Sequence, residues 1–306
     1  MIKMSYKPLK NPYPLKIVGG KSQLIQQLLK VIDDCIVNHE LVGVIDACMG
    51  GNRIFLTHQP ETELEIKIAN EKDLGTVNFF KCLQNPYLTD LLIDTIITNW
   101  EFCTTKEAFD NARLTRRSTE VSMVESAALT YILTEFGRAA NKTVYSETNA
   151  YRGIKSKSLD KLLHLEEVLE GVEIRHGDCI DIAEEFSARK DILMFLDVPY
   201  VEEDKETGKA KVTQDYEDAF TPEDQNKLID TILQTKNKVI LCGYDNPIYR
   251  ERLELNLTSG FEKYFIGEVN VSSAANGKKR DENVWCNFKI EPELLPYRSS
   301  SNLGEY

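Results

Sequence analysis

A short acidic and aromatic segment, Asp197-Val198-Pro199-Tyr200, follows an apolar run at 192–196 and precedes a long polar stretch. At the end of a buried strand, these residue types can hold a flat ring that carries an amino group. The carboxylate and a main-chain carbonyl would accept hydrogen bonds from the amino group, while the tyrosine ring would stack on the flat face. The alternative is an ordinary strand end with a helix-breaking proline and a tyrosine at its rim. The tetrapeptide alone does not separate the two interpretations.

A glycine-containing turn, Asp46-Ala47-Cys48-Met49-Gly50-Gly51-Asn52, follows a candidate strand at 41–45. Glycines at a strand's carboxyl end let a ligand approach the backbone at the start of the next helix. Glu71 lies about twenty residues further on, at the end of the next candidate strand, where a carboxylate can bind ribose hydroxyls. The pair indicates a nucleoside cofactor, the alternative being a plain turn and a solvent-facing glutamate. Because the full G-x-G-x-x-G pattern is missing, S-adenosylmethionine fits better than a dinucleotide.

A second glycine turn, Gly19-Gly20-Lys21-Ser22, lies upstream. It resembles part of a phosphate-binding loop, but it lacks the first glycine at the required spacing and no convincing strand precedes it. We interpret it as a tight turn that directs Lys21 toward an anionic group, such as the methionine carboxylate of that cofactor.

The order of elements predicts an α/β protein with a mostly parallel sheet. Five candidate strands are separated by helical segments, and two later segments rich in aromatic and β-branched residues predict a closing antiparallel pair. Thr221-Pro222-Glu223-Asp224 has the sequence of a helix start. Strands are predicted at 41–45, 64–69, 172–175, 191–196, 238–242, 261–271 and 282–290, and helices at 21–37, 72–83, 89–110, 119–140, 158–169 and 221–234.

The helical and basic stretch at 88–170 interrupts the α/β pattern and is predicted to be a small inserted subdomain. The remaining segments, 1–87 and 171–295, would form one discontinuous catalytic domain, and 296–306 is expected to be a disordered tail.

The composition, with 42% hydrophobic and 28% charged residues, is that of a globular protein, and no segment is apolar enough to span a membrane. The seven scattered cysteines and four isolated histidines indicate buried reduced thiols and no metal site. We therefore expect a cytoplasmic protein.

The net charge of −12 argues mildly against nucleic-acid binding, yet the basic residues are unevenly distributed. They could be ordinary solvated surface, or they could contact phosphates beside the candidate site. The candidate DNA-binding residues fall in three clusters: Arg113, Arg116 and Arg117; Arg152, Lys155 and Lys157; and Lys278, Lys279 and Arg280.

Taken in order, these segments resemble the Dam-type DNA adenine-N6 methyltransferases, in which the tetrapeptide reads DPPY. The resemblance covers almost the whole chain outside 88–170. It implies a Rossmann-like class I methyltransferase sheet with an inserted helical DNA-recognition subdomain. It also implies transfer of a methyl group from S-adenosylmethionine to an adenine flipped out of double-stranded DNA. The matching segments are 17–21, the turn at 46–52, Glu71, the tetrapeptide 197–200, and 219–224, 241–249 and 279–287.

The resemblance also assigns roles to individual residues. Asp197 and the Val198 carbonyl would accept hydrogen bonds from the adenine amino group, with Pro199 in the same catalytic segment, and Tyr200 would stack on the base. It further implies a bacterial or phage-type setting with DNA methylation or restriction-modification, and we expect a monomer. The cofactor contacts implied are Ile17, Gly19, Gly20, Lys21, Asp46, Gly50, Gly51, Glu71, Asp178 and Asp197.

The chain departs from the family pattern at four positions. Val198 replaces a proline, which keeps the carbonyl acceptor but frees φ and adds an N–H group. Cys48, Asn52 and Ile17 stand where the family often has an aromatic residue, a glycine and a tryptophan. We expect activity to persist, because the acceptors and the stacking ring remain. The competing interpretations are a catalytically silent DNA-binding module, a methyltransferase for RNA or a protein amide, disfavoured by Asp at position 197, and a nicotinamide oxidoreductase.

Overall fold

The computed structural model describes residues 13–17, 24–58, 63–138, 142–213, 220–270 and 279–296. Nine strands lie in these ranges: β1 Gly43–Asp46, β2 Ile66–Glu71, β3 Glu173–His176, β4 Ile192–Leu196, β5 Val201–Glu203, β6 Ala210–Val212, β7 Lys238–Gly243, β8 Glu262–Asn270 and β9 Lys279–Cys286. Seven of them form one sheet in the order β3-β2-β1-β4-β7-β9-β8, and β5 and β6 form a separate hairpin. Strands β3, β2, β1, β4 and β7 pair in parallel, and β9 is antiparallel to both of its neighbours. The predicted α/β class and the closing antiparallel pair are confirmed.

Eleven α-helices lie in the described ranges. Their starts follow local sequence rules: Asp73, Ser122 and Thr221 each accept a hydrogen bond from a first-turn amide, and Thr221 and Asp224 form a reciprocal capping box. The helices are α1 Ile25–Asn38, α2 Arg53–Thr57, α3 Leu74–Leu83, α4 Pro86–Asn99, α5 Lys106–Thr115, α6 Met123–Phe136, α7 Glu147–Arg152, α8 Ser156–Asp160, α9 Cys179–Glu185, α10 Pro222–Gln234 and α11 Pro247–Tyr249, which continues into a π-helical turn Arg250–Glu254.

The central strands are buried on both faces, and alternate side chains enter two separate hydrophobic clusters. Leu193 and Phe195 of β4 pack with α1 and the helices α3 to α6, whereas Met194 and Leu196 pack with α9 and α10. This alternation follows from the two-residue period of a strand. The molecule therefore has three layers, with the sheet between two sets of helices.

Between α3 and β3 the chain is helical, and these helices share the hydrophobic cluster of α1 and the sheet. Helix α6 is buried along most of its length, and its Tyr131 ring stacks on Phe79 of α3 with centroids 5.8 Å apart. The segment is thus packed directly onto one face of the sheet. Its limits as an independent subdomain, 88–170, stay a prediction.

Three sequence expectations differ from the structure. The helix predicted at 89–110 is two helices, α4 and α5, separated by the 3₁₀ turn Trp100–Cys103. The helix predicted at 158–169 is α8 followed by two 3₁₀ turns, Lys161–His164 and Glu167–Leu169. The polar stretch after Tyr200 contains the hairpin β5–β6. The expected tail lies outside the described residues from 297 onward.

Six of the seven cysteines are buried and all are free thiols, in agreement with the sequence interpretation. Among the described helices, none combines the length and the hydropathy that crossing a membrane requires. Within the same residues, no group of three or more histidine, cysteine, aspartate or glutamate side chains is placed to hold a metal ion.

Candidate cofactor and adenine site

Three acidic residues meet at the carboxyl edge of the sheet. Asp46 ends β1, Glu71 ends β2, and Asp197 follows the last residue of β4. The register places Asp46 beside Ala69 on one side and beside Phe195 on the other. The strand order reverses between β1 and β4, and the crevice at such a reversal is where open α/β sheets bind ligands. The structure therefore brings together Asp46, Glu71 and Asp197, which were predicted from separate motifs, and their roles stay predictions.

Glu71 holds the glycine turn from the neighbouring strand. Its Oε2 accepts the Gly50 N–H at 2.9 Å, and its Oε1 accepts the Asp73 N–H at 3.0 Å. Gly50 has φ +46°, a left-handed conformation that favours glycine. Burial raises the pKa of the Glu71 carboxyl, while the two backbone hydrogen bonds oppose the shift. The carboxylate is thus fixed at the position predicted for a ribose-binding group.

Two buried polar side chains at the same turn have atoms without a hydrogen-bond partner among the described residues. These atoms are Oδ1 of Asp46, which is 2% exposed, and both side-chain amide atoms of Asn52, which is fully buried. Asn52 also has a left-handed φ of 51°. Buried polar groups in proteins are nearly always paired, and a bound polar ligand is one way to pair them. The donor set therefore fits a polar, nucleoside-type molecule.

Burial raises the pKa of Asp46 well above its usual range, and the neighbouring charge of Asp197 adds to the shift. A carboxyl whose pKa is higher folded than unfolded binds more protons in the folded state, so its ionisation lowers stability as pH rises. We therefore expect Asp46→Asn to raise the Tm of the ligand-free protein at pH 8, with little change at pH 4. Thermal unfolding at both values measures this, and a lower Tm at pH 8 would contradict it.

Asn70, near the end of β2, joins the loops that follow β1 and β3. Its Nδ2 donates to the carbonyls of Ala47 and Gly177, each at 3.0 Å, and its own carbonyl accepts the Met49 N–H. Asp178 follows Gly177, caps α9 and accepts a hydrogen bond from Lys72 at 2.9 Å. Burial raises the pKa of Asp178, but Lys72 and the Ile180 amide outweigh burial and lower it overall. Asp178 is therefore an anionic group in the loop after β3, and its contact with a cofactor stays a prediction.

Ile17 lies against the turn, since a Cβ built on Gly50 would be 3.8 Å from its Cγ2. Arg53, which follows the turn, places its guanidinium carbon 4.5 Å from the centre of the Tyr13 ring. Burial lowers the pKa of Arg53, whereas Tyr13 and the nearby charge of Asp197 oppose that shift. The predicted contacts Gly19, Gly20 and Lys21 lie outside the described residues.

The two residues that follow Asp197 are held in place by buried neighbours. Val198 is buried in the cluster beneath the sheet, with Leu196 and Tyr249. The Pro199 carbonyl accepts a hydrogen bond from Nε2 of the buried Gln225 at 2.9 Å. Gln225 Oε1 accepts a hydrogen bond from the Tyr249 hydroxyl at 2.7 Å. The valine at 198 therefore has a packed side chain in place of a proline ring, and α10 anchors the next residue.

The Tyr200 hydroxyl lies between two carboxylates. Its oxygen lies 3.0 Å from Asp197 Oδ1 and 3.0 Å from Oε2 of Glu282, a residue of β9 that is 5% exposed, so its single proton is shared between the two acceptors. Burial and the two nearby negative charges raise the pKa of Tyr200 well above its usual range, so the hydroxyl stays protonated. The ring is 8% exposed and meets Tyr244 edge-on at 4.7 Å. Stacking on a base requires a ring face to become exposed and stays a prediction.

The predicted DNA-binding residues fall into different environments. Arg116 is fully buried and pairs with Asp73, so its expected phosphate contact is corrected to an internal ion pair. Arg280 pairs with Glu202 at 3.0 Å and lies 5.1 Å from the Tyr244 ring centre. Lys278 lies outside the described residues. The remaining cationic side chains are exposed or half-buried: Arg113, Arg117, Arg152, Lys155, Lys157 and Lys279.

Sequence reasoning missed four residues of this site: Asn70, Gln225, Glu282 and Asp73. The signal was weak in each case, because asparagine, glutamine and acidic residues are common in turns and on helix surfaces. Asn70 immediately precedes Glu71 and ends a buried run, which is the clearest of these signals.

The sheet order, the glycine turn with Glu71 and the acidic tetrapeptide at the strand-order reversal define a methyltransferase with a Rossmann-like fold. The match to a family model makes the assignment specific. The chain belongs to the D12 class of N6 adenine-specific DNA methyltransferases, whose model matches residues 18–259. A comparison with curated proteins found no match.

Proposed function

We propose that this chain transfers a methyl group from S-adenosylmethionine to the exocyclic N6 of an adenine flipped out of duplex DNA. The observation that carries the proposal is the position of Asp197 beside the Glu71-held glycine turn, across the reversal in strand order. The family membership supports the adenine N6 chemistry. The methyl donor, the duplex substrate and base flipping are the parts that we propose.

The residues around the turn would hold the cofactor. Glu71 would bind the ribose hydroxyls, Asp178 would lie toward the adenine edge, and Asp46 and Asn52 would pair their buried polar atoms with it. When bound, S-adenosylmethionine supplies an electrophilic methyl group on a sulfonium. Gly50 allows the close approach, because its left-handed φ needs no side chain there.

Asp197 would act on the target base. The adenine amino nitrogen is a poor nucleophile because its lone pair is delocalised into the ring. Two acceptors outside the ring plane, the Asp197 carboxylate and the Val198 carbonyl, would favour a tetrahedral nitrogen and localise that pair. The contribution of the protein is then positioning and electrostatics, without a covalent enzyme intermediate. Tyr200 and Gln225 support this step by fixing Asp197 and the Pro199 carbonyl.

The base must leave the duplex before it can reach Asp197, at a cost of about a few kcal/mol. We propose that the helical segment at 88–170 binds the DNA around it. This segment carries exposed cations, and phosphate contacts would explain them in an otherwise acidic protein.

The double variant Arg152→Ala/Lys155→Ala is expected to weaken duplex binding at every sequence tested. Each lost phosphate contact should reduce the slope of log affinity against log salt by about 0.9, so the double variant should lose about 1 to 2. Fluorescence anisotropy over a salt series measures this. Lys190→Ala, which follows α9 outside the helical segment, is the matched control. An unchanged slope would place the DNA elsewhere on the protein.

The function itself is tested by incubating purified protein with diverse adenine-containing duplexes and labelled S-adenosylmethionine. Label should appear as N6-methyladenine, and sequencing should place it at a defined recognition site. A catalytically silent module would bind duplex DNA without transferring label. Transfer to RNA or to protein with none to DNA would reject the proposal.

A further inference from the structure

A buried ion cluster connects the cofactor edge of the sheet to the helical segment. Asp73, two residues after Glu71, is 7% exposed and lies at the start of α3. Its Oδ1 accepts a hydrogen bond from Nη1 of the fully buried Arg116 at 2.6 Å. Its Oδ2 pairs with the Lys142 ammonium, which is also 3.3 Å from Thr76 Oγ1. Both cations come from the helical segment.

The backbone of Asp73 is also hydrogen-bonded to Glu71, the residue proposed to bind the cofactor ribose. Its N–H donates to Glu71 Oε1 at 3.0 Å, and the other Glu71 oxygen holds Gly50. Burial raises the pKa of Asp73, but Lys142 and Arg116 outweigh burial and lower it overall, so the carboxyl is ionised. A shift of this ion cluster would therefore move the group that supports the glycine turn.

The Arg116 guanidinium lies in a tightly packed space beside Gly75. A Cβ at Gly75 would lie 2.7 Å from Arg116 Nη1 and 2.1 Å from Thr130 Oγ1, so the glycine provides the space for the guanidinium. The Arg116 carbonyl accepts a hydrogen bond from Ser126 Oγ at 2.8 Å. Ser126 Oγ in turn accepts one from the side-chain amide of Asn78 in α3 at 3.1 Å. Arg116, which follows α5, is thus linked to the start of α3 directly through Asp73 and to Asn78 of α3 indirectly through Ser126 of α6.

We infer that Asp73 is a positioning residue that couples cofactor binding at Glu71 to DNA binding by the basic segment around Arg116. This inference rests on the proposed function. Arg113 and Arg117 lie three residues before and one residue after Arg116 and are more exposed, so the anchored Arg116 would hold the backbone that carries them. Buried ion pairs contribute little net stability, since desolvation offsets their attraction. Their effect on geometry is the stronger reason to expect a role in coupling.

Coupling between two ligands is reciprocal, so each ligand changes the affinity of the other by the same factor. S-adenosylhomocysteine serves as the cofactor probe, and its Kd is measured by calorimetry. Duplex Kd is measured by anisotropy with and without it. For the wild type we expect about tenfold tighter DNA binding with the probe. Asp73→Asn keeps an oxygen to cap α3 but removes the charge, and should reduce that ratio to about one or two.

Three further variants separate coupling from loss of stability. Arg116→Gln breaks the same pair from the other side and should also reduce the ratio. Asp110→Asn removes one partner of the exposed Lys106–Asp110 pair and should leave the ratio unchanged. Leu92→Ala opens a cavity beneath α4, where the Leu92 side chain is fully buried, so it should lower the Tm while keeping the ratio.

A folded Asp73→Asn or Arg116→Gln protein with the wild-type ratio would overturn the inference. It would also be overturned by a wild type that methylates DNA but binds duplex equally with and without the probe. If the wild type neither binds the probe nor transfers a methyl group, the proposed function itself fails, which is a different result.

Discussion

Replacing Asp197 by Ala is expected to lower the rate of methyl transfer by about 10³-fold, the largest single effect that the site predicts. The carboxylate follows β4 at the reversal in strand order, and the Tyr200 hydroxyl fixes one of its oxygens at 3.0 Å. Its removal takes away an acceptor that would localise the amino lone pair. Duplex affinity should change less than threefold, because phosphate contacts dominate that affinity. Single-turnover transfer from labelled S-adenosylmethionine measures the rate.

Two further variants serve as comparisons for Asp197→Ala. Asp197→Asn keeps an acceptor oxygen without the charge and should fall between the wild type and the alanine variant. Asp204→Ala makes the same change in the loop after β5, where Asp204 pairs with Lys211, and should transfer at nearly the wild-type rate. An Asp197→Ala protein with wild-type transfer would remove Asp197 from the mechanism and leave the tetrapeptide as a strand end.

Replacing Glu71 by Ala is expected to raise the Kd for S-adenosylhomocysteine by about 100-fold, with a smaller change in the rate at saturating cofactor. The proposed ribose contacts and the two backbone amides held by this side chain would all be lost. Hydrogen bonds to a charged group contribute about 1.5–3 kcal/mol each, and about 2.7 kcal/mol corresponds to this change in Kd. Calorimetry gives the Kd, and steady-state kinetics separate KM from kcat.

Glu65→Ala is the control for Glu71, because Glu65 is an exposed residue just before β2. Its Kd should match the wild type. If Glu71→Ala bound the probe as tightly as the wild type, the cofactor would have to occupy another part of the strand-end edge.

The features that the sequence predicted are those encoded by neighbouring residues. The apolar run at 192–196 is the buried strand β4, and the helix start predicted at Thr221 is confirmed, with Thr221 and Asp224 forming a capping box there. The convergence of Asp46, Glu71 and Asp197 followed from parallel strand order, since successive strand ends lie on the same edge. These inferences needed the fold class and the motif positions, with no distances.

The features that the sequence could not provide depend on pairs far apart in the chain. Arg116 lies 43 residues from Asp73, and its place in a run of three arginines made it look like a surface cation. Glu282 lies 82 residues from Tyr200, on a strand whose partner register decides which side chains face the site. The helix predicted at 158–169 failed for a different reason. Its apolar residues Leu159, Leu162 and Leu169 are buried as a helical period predicts, but the backbone that presents them is α8 followed by two 3₁₀ turns.

Gly75 has a consequence for how related sequences change together. Glycine is less favourable than alanine in a helix, by about 1 kcal/mol in the interior, and Gly75 is the second residue of α3. A side chain there would occupy the volume of the Arg116 guanidinium and leave Asp73 without one of its two cations. In an evolutionary record, positions 73, 75 and 116 should therefore be substituted as a set. Lineages that fill position 75 should also have lost the arginine at 116 or the acid at 73.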